Sequence, residues 1–320
     1  MKTLLILITV LFAFQINAAP QKIDGLYVNT FGDKTNQSLI FVHGGPGFNS
    51  HDFEVTTAQK LSDEGFYVVV YDQRGQGRSD EATEADFNYK TYSDDIKKII
   101  DQLEVSSPIL LGHSHGGPIS INFDQSYPGV AKSIILVAAP VNFWGSMKSI
   151  FENCSKNYLS KDNSDALNQL TYIYYELFVN ENPNYGMDFL VGSTFMHGMQ
   201  CGLYNTSNPT TEAQKLRTLI QQNPIPQPLA GMTTAMPGFL KNENYVKGNY
   251  VTYLFNQKGR YFGIYGDEDG LFTPVELSLI KAAVSSDDGT QRYELVEESS
   301  HSIFMDQQTE FIRLVKEFSK

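Results

Sequence analysis

Short apolar runs, each bounded by glycine, proline or acidic residues, recur along the chain with helical patterns between them. The runs are Leu39-Ile40-Phe41-Val42, Tyr67-Val68-Val69-Val70-Tyr71, Ile109-Leu110-Leu111, Ile134-Ile135-Leu136-Val137, Tyr261-Phe262-Gly263-Ile264-Tyr265 and Tyr293-Glu294-Leu295-Val296. Their apolarity is continuous rather than alternating, which predicts strands covered on both faces. Between them, Tyr92, Ile96, Ile99, Ile100 and Leu103 repeat at the spacing of one buried helix face. A further helix is expected to start after Ile109-Leu110-Leu111 and to end near Tyr127, where Pro128-Gly129 stops it. Phe311, Ile312, Val315 and Phe318 mark a last amphipathic helix. Strand and helix in alternation predict an α/β fold: a mostly parallel central sheet flanked by helices.

From about Val141 to Tyr250 this rhythm breaks. The segment reads as mainly helical, with Leu167, Leu170, Ile173, Tyr174 and Leu177 on one stripe. It falls between two strands and is expected to form an inserted helical cap over the carboxyl edge of the sheet. The domain reading is therefore a core of residues 19–140 and 251–320, with a cap of residues 141–250. Six of the eight methionines lie in the cap: Met147, Met187, Met196, Met199, Met232 and Met236. Flexible thioethers suit either an adaptable apolar pocket or the cap's own core.

Composition narrows the class. A formal net charge of -12 disfavours nucleic acid and anionic membrane as partners, since both would repel the chain. Residues 1–18 resemble a signal peptide: Lys2, an apolar stretch from Leu4 to Phe14, and a small-residue cleavage site at Ala18-Ala19. The mature protein is then expected to be exported, with no later segment able to span a bilayer. Two cysteines, Cys154 and Cys201, could form one disulfide in an oxidising compartment or remain as two buried thiols. Two cysteines this far apart in the chain do not make a zinc ligand set, so no metal site is expected.

The strand Ile109-Leu110-Leu111 runs into Gly112-His113-Ser114-His115-Gly116, a G-x-S-x-G pentapeptide. Small residues there permit a sharp turn that would lift the Ser114 hydroxyl clear of the sheet. A serine hydroxyl needs a base, usually histidine, oriented by a carboxylate. Among six histidines, His301 follows the last expected strand and precedes the final helix, so its loop can return to the same sheet edge. The carboxylate should come from Gly266-Asp267-Glu268-Asp269-Gly270. Asp269 at the loop tip is the candidate, with Asp267 in reserve. Oxyanion donors should be backbone N–H groups. One is expected from His115, at the start of the helix after Ser114. The other is expected from His43-Gly44-Gly45-Pro46-Gly47: Gly45 first, Gly44 next.

His43 to Gly47, then Asp72-Gln73-Arg74-Gly75-Gln76-Gly77-Arg78-Ser79, then the Ser114 turn, together resemble the proline iminopeptidases. The resemblance implies an α/β-hydrolase core with a helical cap and the roles just given for Ser114, Asp269, His301, Gly45 and His115. It implies no catalytic role for Asp72 to Ser79, only a structural turn. Two features depart from the family. His113 and His115 flank Ser114, where a glycine and a tryptophan are usual. The cap also lacks the Glu-x-His-Tyr-Phe and Trp-x-x-Trp-Glu segments whose glutamates grip the substrate's amino group. Tyr172-Ile173-Tyr174-Tyr175-Glu176 echoes the second, making Glu176 the candidate substrate-binding residue in the cap.

The sequence thus points to an exported serine hydrolase acting through an acyl-enzyme on a short peptide or small acyl substrate, without a cofactor. Aminopeptidase action is the first expectation. An esterase, lactonase or amidase is the second, and a non-catalytic hydrolase-fold binding protein the third.

Overall fold

The computed structural model describes residues 19–225, 230–242, 248–257, 259–285 and 288–320, so the leader at 1–18 lies outside the described residues. An eight-stranded sheet runs in the order β1-β2-β4-β3-β5-β6-β7-β8. The strands are β1 Gln21–Ile23, β2 Leu26–Phe31, β3 Gln37–Val42, β4 Phe66–Tyr71, β5 Ile109–His113, β6 Ser133–Val137, β7 Tyr261–Gly266 and β8 Tyr293–Val296. All neighbours from β4 through β8 pair in parallel; β1 and β2 form an antiparallel hairpin that adds on beside β4.

Strands β3 to β8 coincide with the apolar runs. The opening hairpin does not appear among those runs, for a physical reason. Strand β1 has only three residues, and β2 is interrupted by the buried polar pair Asn29 and Thr30. Asn29 is accommodated there because its Nδ2 donates to Glu54 Oε1 at 2.7 Å and its Oδ1 accepts from Thr30 N–H at 2.9 Å.

Sheet order decides where a ligand can bind. The chain lays down β3, returns to one side for β4, then crosses to the other side for β5. The loops leaving the carboxyl ends of β3 and β5 therefore diverge and open a crevice between them. Those loops carry His43 to Gly47 and Ser114. Strands β7 and β8 end at the same edge, so their loops bring Asp269 and His301.

The insertion leaves the core after β6. Its two stems pair at an antiparallel bridge, Asn142 with Asn249; Phe143 N–H donates to Gly248 O at 2.8 Å and Tyr250 N–H to Val141 O at 2.7 Å. Between the stems lie the helices Phe143–Ser160, Ser164–Phe178, Met187–Gln200, Thr211–Gln222 and Ala235–Asn242. Cys154 and Cys201 are joined by a disulfide, Cα to Cα 5.6 Å, tying the first of these helices to the end of the third.

Candidate active site

Ser114 stands between the last residue of β5 and the helix Gly116–Ser126 with φ +51°, a left-handed conformation unusual for a side-chain-bearing residue. Two bonds fix the turn: Ser114 N–H donates to Val137 O of β6, and Gly117 N–H donates to Ser114 O, both at 2.9 Å. The flanking glycines are needed for space. A methyl on Gly116 would sit 2.0 Å from Val42 O, and one on Gly117 2.3 Å from Ala139 Cβ.

Asp269 and His301 meet across the loops after β7 and β8. His301 Nδ1 donates to Asp269 Oδ2 at 2.8 Å, and both residues are buried. The second carboxylate oxygen of Asp269 accepts from Leu271 N–H at 3.1 Å. This pairing holds Nδ1 protonated and leaves Nε2 as the lone-pair nitrogen of the neutral ring. Asp267 lies elsewhere: it is exposed, and its Oδ1 accepts from Ser299 N–H at 3.3 Å.

Gly44 passes directly over Ser114. A methyl built on Gly44 would stand 2.8 Å from Ser114 Cβ, and Gly45 has φ +139°. The Asp72–Ser79 segment holds this loop. His43 Nδ1 donates to Gly44 O at 2.6 Å, while its Nε2 accepts from Gln73 N–H at 2.9 Å. Gln73 Nε2 donates to His43 O at 2.6 Å, and Gln76 Oε1 accepts from Gly47 N–H at 2.5 Å. Asp72, fully buried, accepts from Ser50 and from Arg78 through both carboxylate oxygens. Burial raises its pKa, but Arg78 outweighs that and keeps it below the usual carboxylate value.

The histidines beside Ser114 have separate surroundings. His113 Nε2 donates to the carbonyl of His301 at 2.9 Å. The His115 ring packs edge-on against Phe239 of the cap, centroids 4.9 Å apart, and against Tyr89. His115 also caps the start of the helix Gly116–Ser126, where backbone N–H groups and the helix dipole favour negative charge. Burial lowers the pKa of His43 to about 4 and those of His113 and His115 to about 3, so all three rings are neutral at physiological pH.

These elements surround a cavity of about 390 Å3 lined by Ser114, His301, His43, Gly44 and Gly45 from the core and by cap residues including Phe195, Met199, Met232 and Met236. With Met147, four of the six cap methionines line it. Glu176 does not. Its oxygens accept from Asn184 N–H at 2.6 Å and from the side chains of Asn184 and Asn180, closing the turn after its own helix. The Asn184 backbone bond, more than the opposing burial, holds its pKa below the usual value. The echo around Glu176 is therefore a helix end, and that residue is not brought to the cavity.

Sequence reasoning missed His43, Gln73, Gln76 and His113 as supports of the site. The signal for His43 was its place beside Gly44; for His113 there was none, because its partner is 188 residues away.

The arrangement can deliver an activated hydroxyl, a base oriented by a carboxylate, and backbone donors beside a helix start. The chain is similar to several known proteins. A proline iminopeptidase of Saccharolobus solfataricus is 35% identical over 104 residues, covering 32% of this chain and 33% of that protein. A bifunctional esterase/perhydrolase of Acinetobacter calcoaceticus is 30% identical over 148 residues, 43% of this chain and 52% of that one. The chain thus matches between a third and about half of the length of these curated relatives. The crystal structure of a proline iminopeptidase-related protein from Thermus thermophilus superposes with a TM-score of 0.67 at 19% identity, covering 95% of this chain and 96% of that one. The alpha/beta hydrolase fold family matches residues 37–308. The chain belongs to that family.

Proposed function

We propose that this hydrolase works through an acyl-enzyme formed on Ser114, and that its substrates are short peptides from which it releases amino-terminal residues. The observation that carries the reading is the His301–Asp269 pair, held at 2.8 Å on the edge where Ser114 stands in its strained turn. Ser114 Oγ attacks the scissile carbonyl and its proton passes to His301 Nε2, while Asp269 stabilises the imidazolium. Backbone N–H groups of Gly45 and His115 receive the oxyanion. His301 then protonates the leaving amine, and a water activated by the same nitrogen releases the acyl group and restores Ser114.

A second reading keeps this chemistry and changes the substrate to a small ester or lactone. Its support is the largely apolar cavity, an esterase/perhydrolase among the relatives, and a structural neighbour titled as degrading N-acyl homoserine lactones (TM-score 0.60, 15% identity). Turnover of prolyl and other aminoacyl anilides beside short acyl esters decides between the two, with Ser114→Ala as control. Anilide cleavage is expected. Ester cleavage alone would remove the peptidase half, and failure to react with a fluorophosphonate would remove the serine mechanism.

We extend the reading to export through residues 1–18. The Cys154–Cys201 disulfide supports an oxidising destination. Intact mass of the secreted product should begin at Ala19; retention of the leader would count against it.

A further inference from the structure

We propose that Asp52 is the specificity-determining residue of this cavity, its carboxylate binding the free ammonium group of an aminoacyl substrate. The assignment rests on the hydrolase reading above and deepens it. Asp52 is the second residue of the helical segment His51–Phe53 after the glycine-rich loop, and it lines the catalytic cavity together with its neighbours Asn49 and Phe53. It is the sole carboxylate among the described residues lining that cavity, and no lysine or arginine is among them.

The described group whose charge would offset it is His51, beside it in the chain. No described side chain or backbone N–H hydrogen-bonds or ion-pairs with the carboxylate; only the Asp52 carbonyl is engaged, accepting from Thr56 Oγ1 at 2.5 Å. The histidines lining the cavity are already committed: His43 to Gly44 and Gln73, His113 to the His301 carbonyl, His301 to Asp269. The cavity lining is largely apolar, with Phe41, Phe48, Phe53, Met232 and Met236 among its residues. Asp52 is accessible to solvent, yet the surrounding protein is dense enough that burial raises its pKa, with His51 opposing.

A carboxylate on the cavity wall without a hydrogen-bonded protein partner attracts a ligand that brings a positive charge, and a neutral acyl group gains nothing from it. The cap segments through which the resemblance would supply acidic anchors are absent, and Glu176 is spent on its own turn. Asp52 thus places the anionic anchor on the core side of the cavity, on the chain segment that also carries Gly44 and Gly45.

The test compares two esters that differ only in the ammonium group, alanyl and propionyl 4-nitrophenyl esters, corrected for spontaneous hydrolysis. Wild-type kcat/KM should favour the alanyl ester roughly 10- to 100-fold, the range of a charge-assisted hydrogen bond. In Asp52→Asn that ratio should fall to about one, mostly through KM for the alanyl ester, and Asp52→Glu should keep part of the preference. A wild-type ratio of one, or a parallel loss of both activities in Asp52→Asn, overturns the assignment. Alanyl and prolyl anilides run beside the esters separate the two readings. Ester discrimination without anilide cleavage would end the peptidase reading and leave Asp52 as the ammonium site.

Discussion

His113 Nε2 donates a hydrogen bond to the main-chain carbonyl of His301 at 2.9 Å, so the residue before Ser114 holds the loop that carries the base. The bond ties the end of β5 to the loop after β8, two elements that share no strand pairing. Nucleophile and base are thereby referenced to each other through a second contact besides substrate. Replacing His113 by phenylalanine keeps a ring of similar shape and removes the donor. A buried carbonyl left without its partner costs about 1–3 kcal/mol. The expected result is a fall in kcat of about tenfold with little change in KM, and a glutamine variant should recover part of it.

Exchange of the acids separates Asp269 from Asp267. Asp269→Asn should lower kcat by about 10^3-fold or more, since the imidazole loses the partner that fixes its tautomer. Asp267→Asn, at an exposed position, should leave kcat within about twofold. Steady-state kinetics on any turned-over ester checks both, and equal losses would contradict the geometry.

A methyl at Gly44 would meet Ser114 Cβ at 2.8 Å, closer than carbon atoms pack. Gly44→Ala must displace either the glycine-rich loop or the serine turn. Misplacement on the scale of 1 Å costs on the order of 100-fold in rate. The expected outcome is a loss of that size in kcat/KM, and slower labelling of Ser114 by a fluorophosphonate, in a protein with an unchanged circular dichroism spectrum.

Stability should fall as the solution is acidified. His43, His113 and His115 are held neutral by burial, to about 4, 3 and 3, whereas in the unfolded chain they take up protons near pH 6.5. The unfolded state then binds more protons, so their stabilisation is present above pH 6.5 and is lost below it. Glu276, pushed up to about 7 by burial, acts in the opposite sense between about 4.5 and 7. For these four groups the net is two protons, a slope of about 3 kcal/mol per pH unit across pH 6 to 5. Urea unfolding at pH 7.5, 6 and 5 measures it, and a flat profile would show that these rings are not held neutral.

Cys154 and Cys201 close a loop of 47 residues. On a chain-entropy basis such a link is worth about 4 kcal/mol. Cys154→Ser with Cys201→Ser should lower the unfolding free energy obtained from urea denaturation by about that amount, and dithiothreitol should reproduce it in the unmutated protein.

Much of the architecture was legible in local pattern because strands β3 to β7 are largely apolar, the edge strand β8 is apolar apart from Glu294, and helix-period segments separate several of them. What local pattern could not supply were contacts between distant residues. The hairpin of β1 and β2 escaped because Asn29 depends on Glu54 for its burial, and Glu54 lies on another element. The Gly-x-Ser-x-Gly turn and the glycine-rich loop were readable since backbone geometry demands those residue types locally. His43 and His113 were not, because histidine looks alike whether it supports a loop or carries a proton. Glu176 was misleading for the same reason: a carboxylate that closes a helix end and one that binds substrate have identical local sequence.

The stretch that follows the disulfide gives the cap a duty other than covering the site. Leu203 O accepts from Gly270 N–H, Tyr204 O accepts from Ser300 Oγ, and Thr206 and Ser207 donate to Glu268. Residues 203–207 thus bind the acid loop and the base loop at once, and Cys201 anchors that strap to Cys154. A rigid lid swinging away on the stems at Asn142 and Asn249 would pull Asp269 and His301 apart with it. At another point of contact Met232 packs on Gly47, where a methyl would stand 2.5 Å from its Cα. The cap is hence a scaffold as well as a cover, and grafting a foreign cap onto this core would remove the brace of the charge pair along with the pocket.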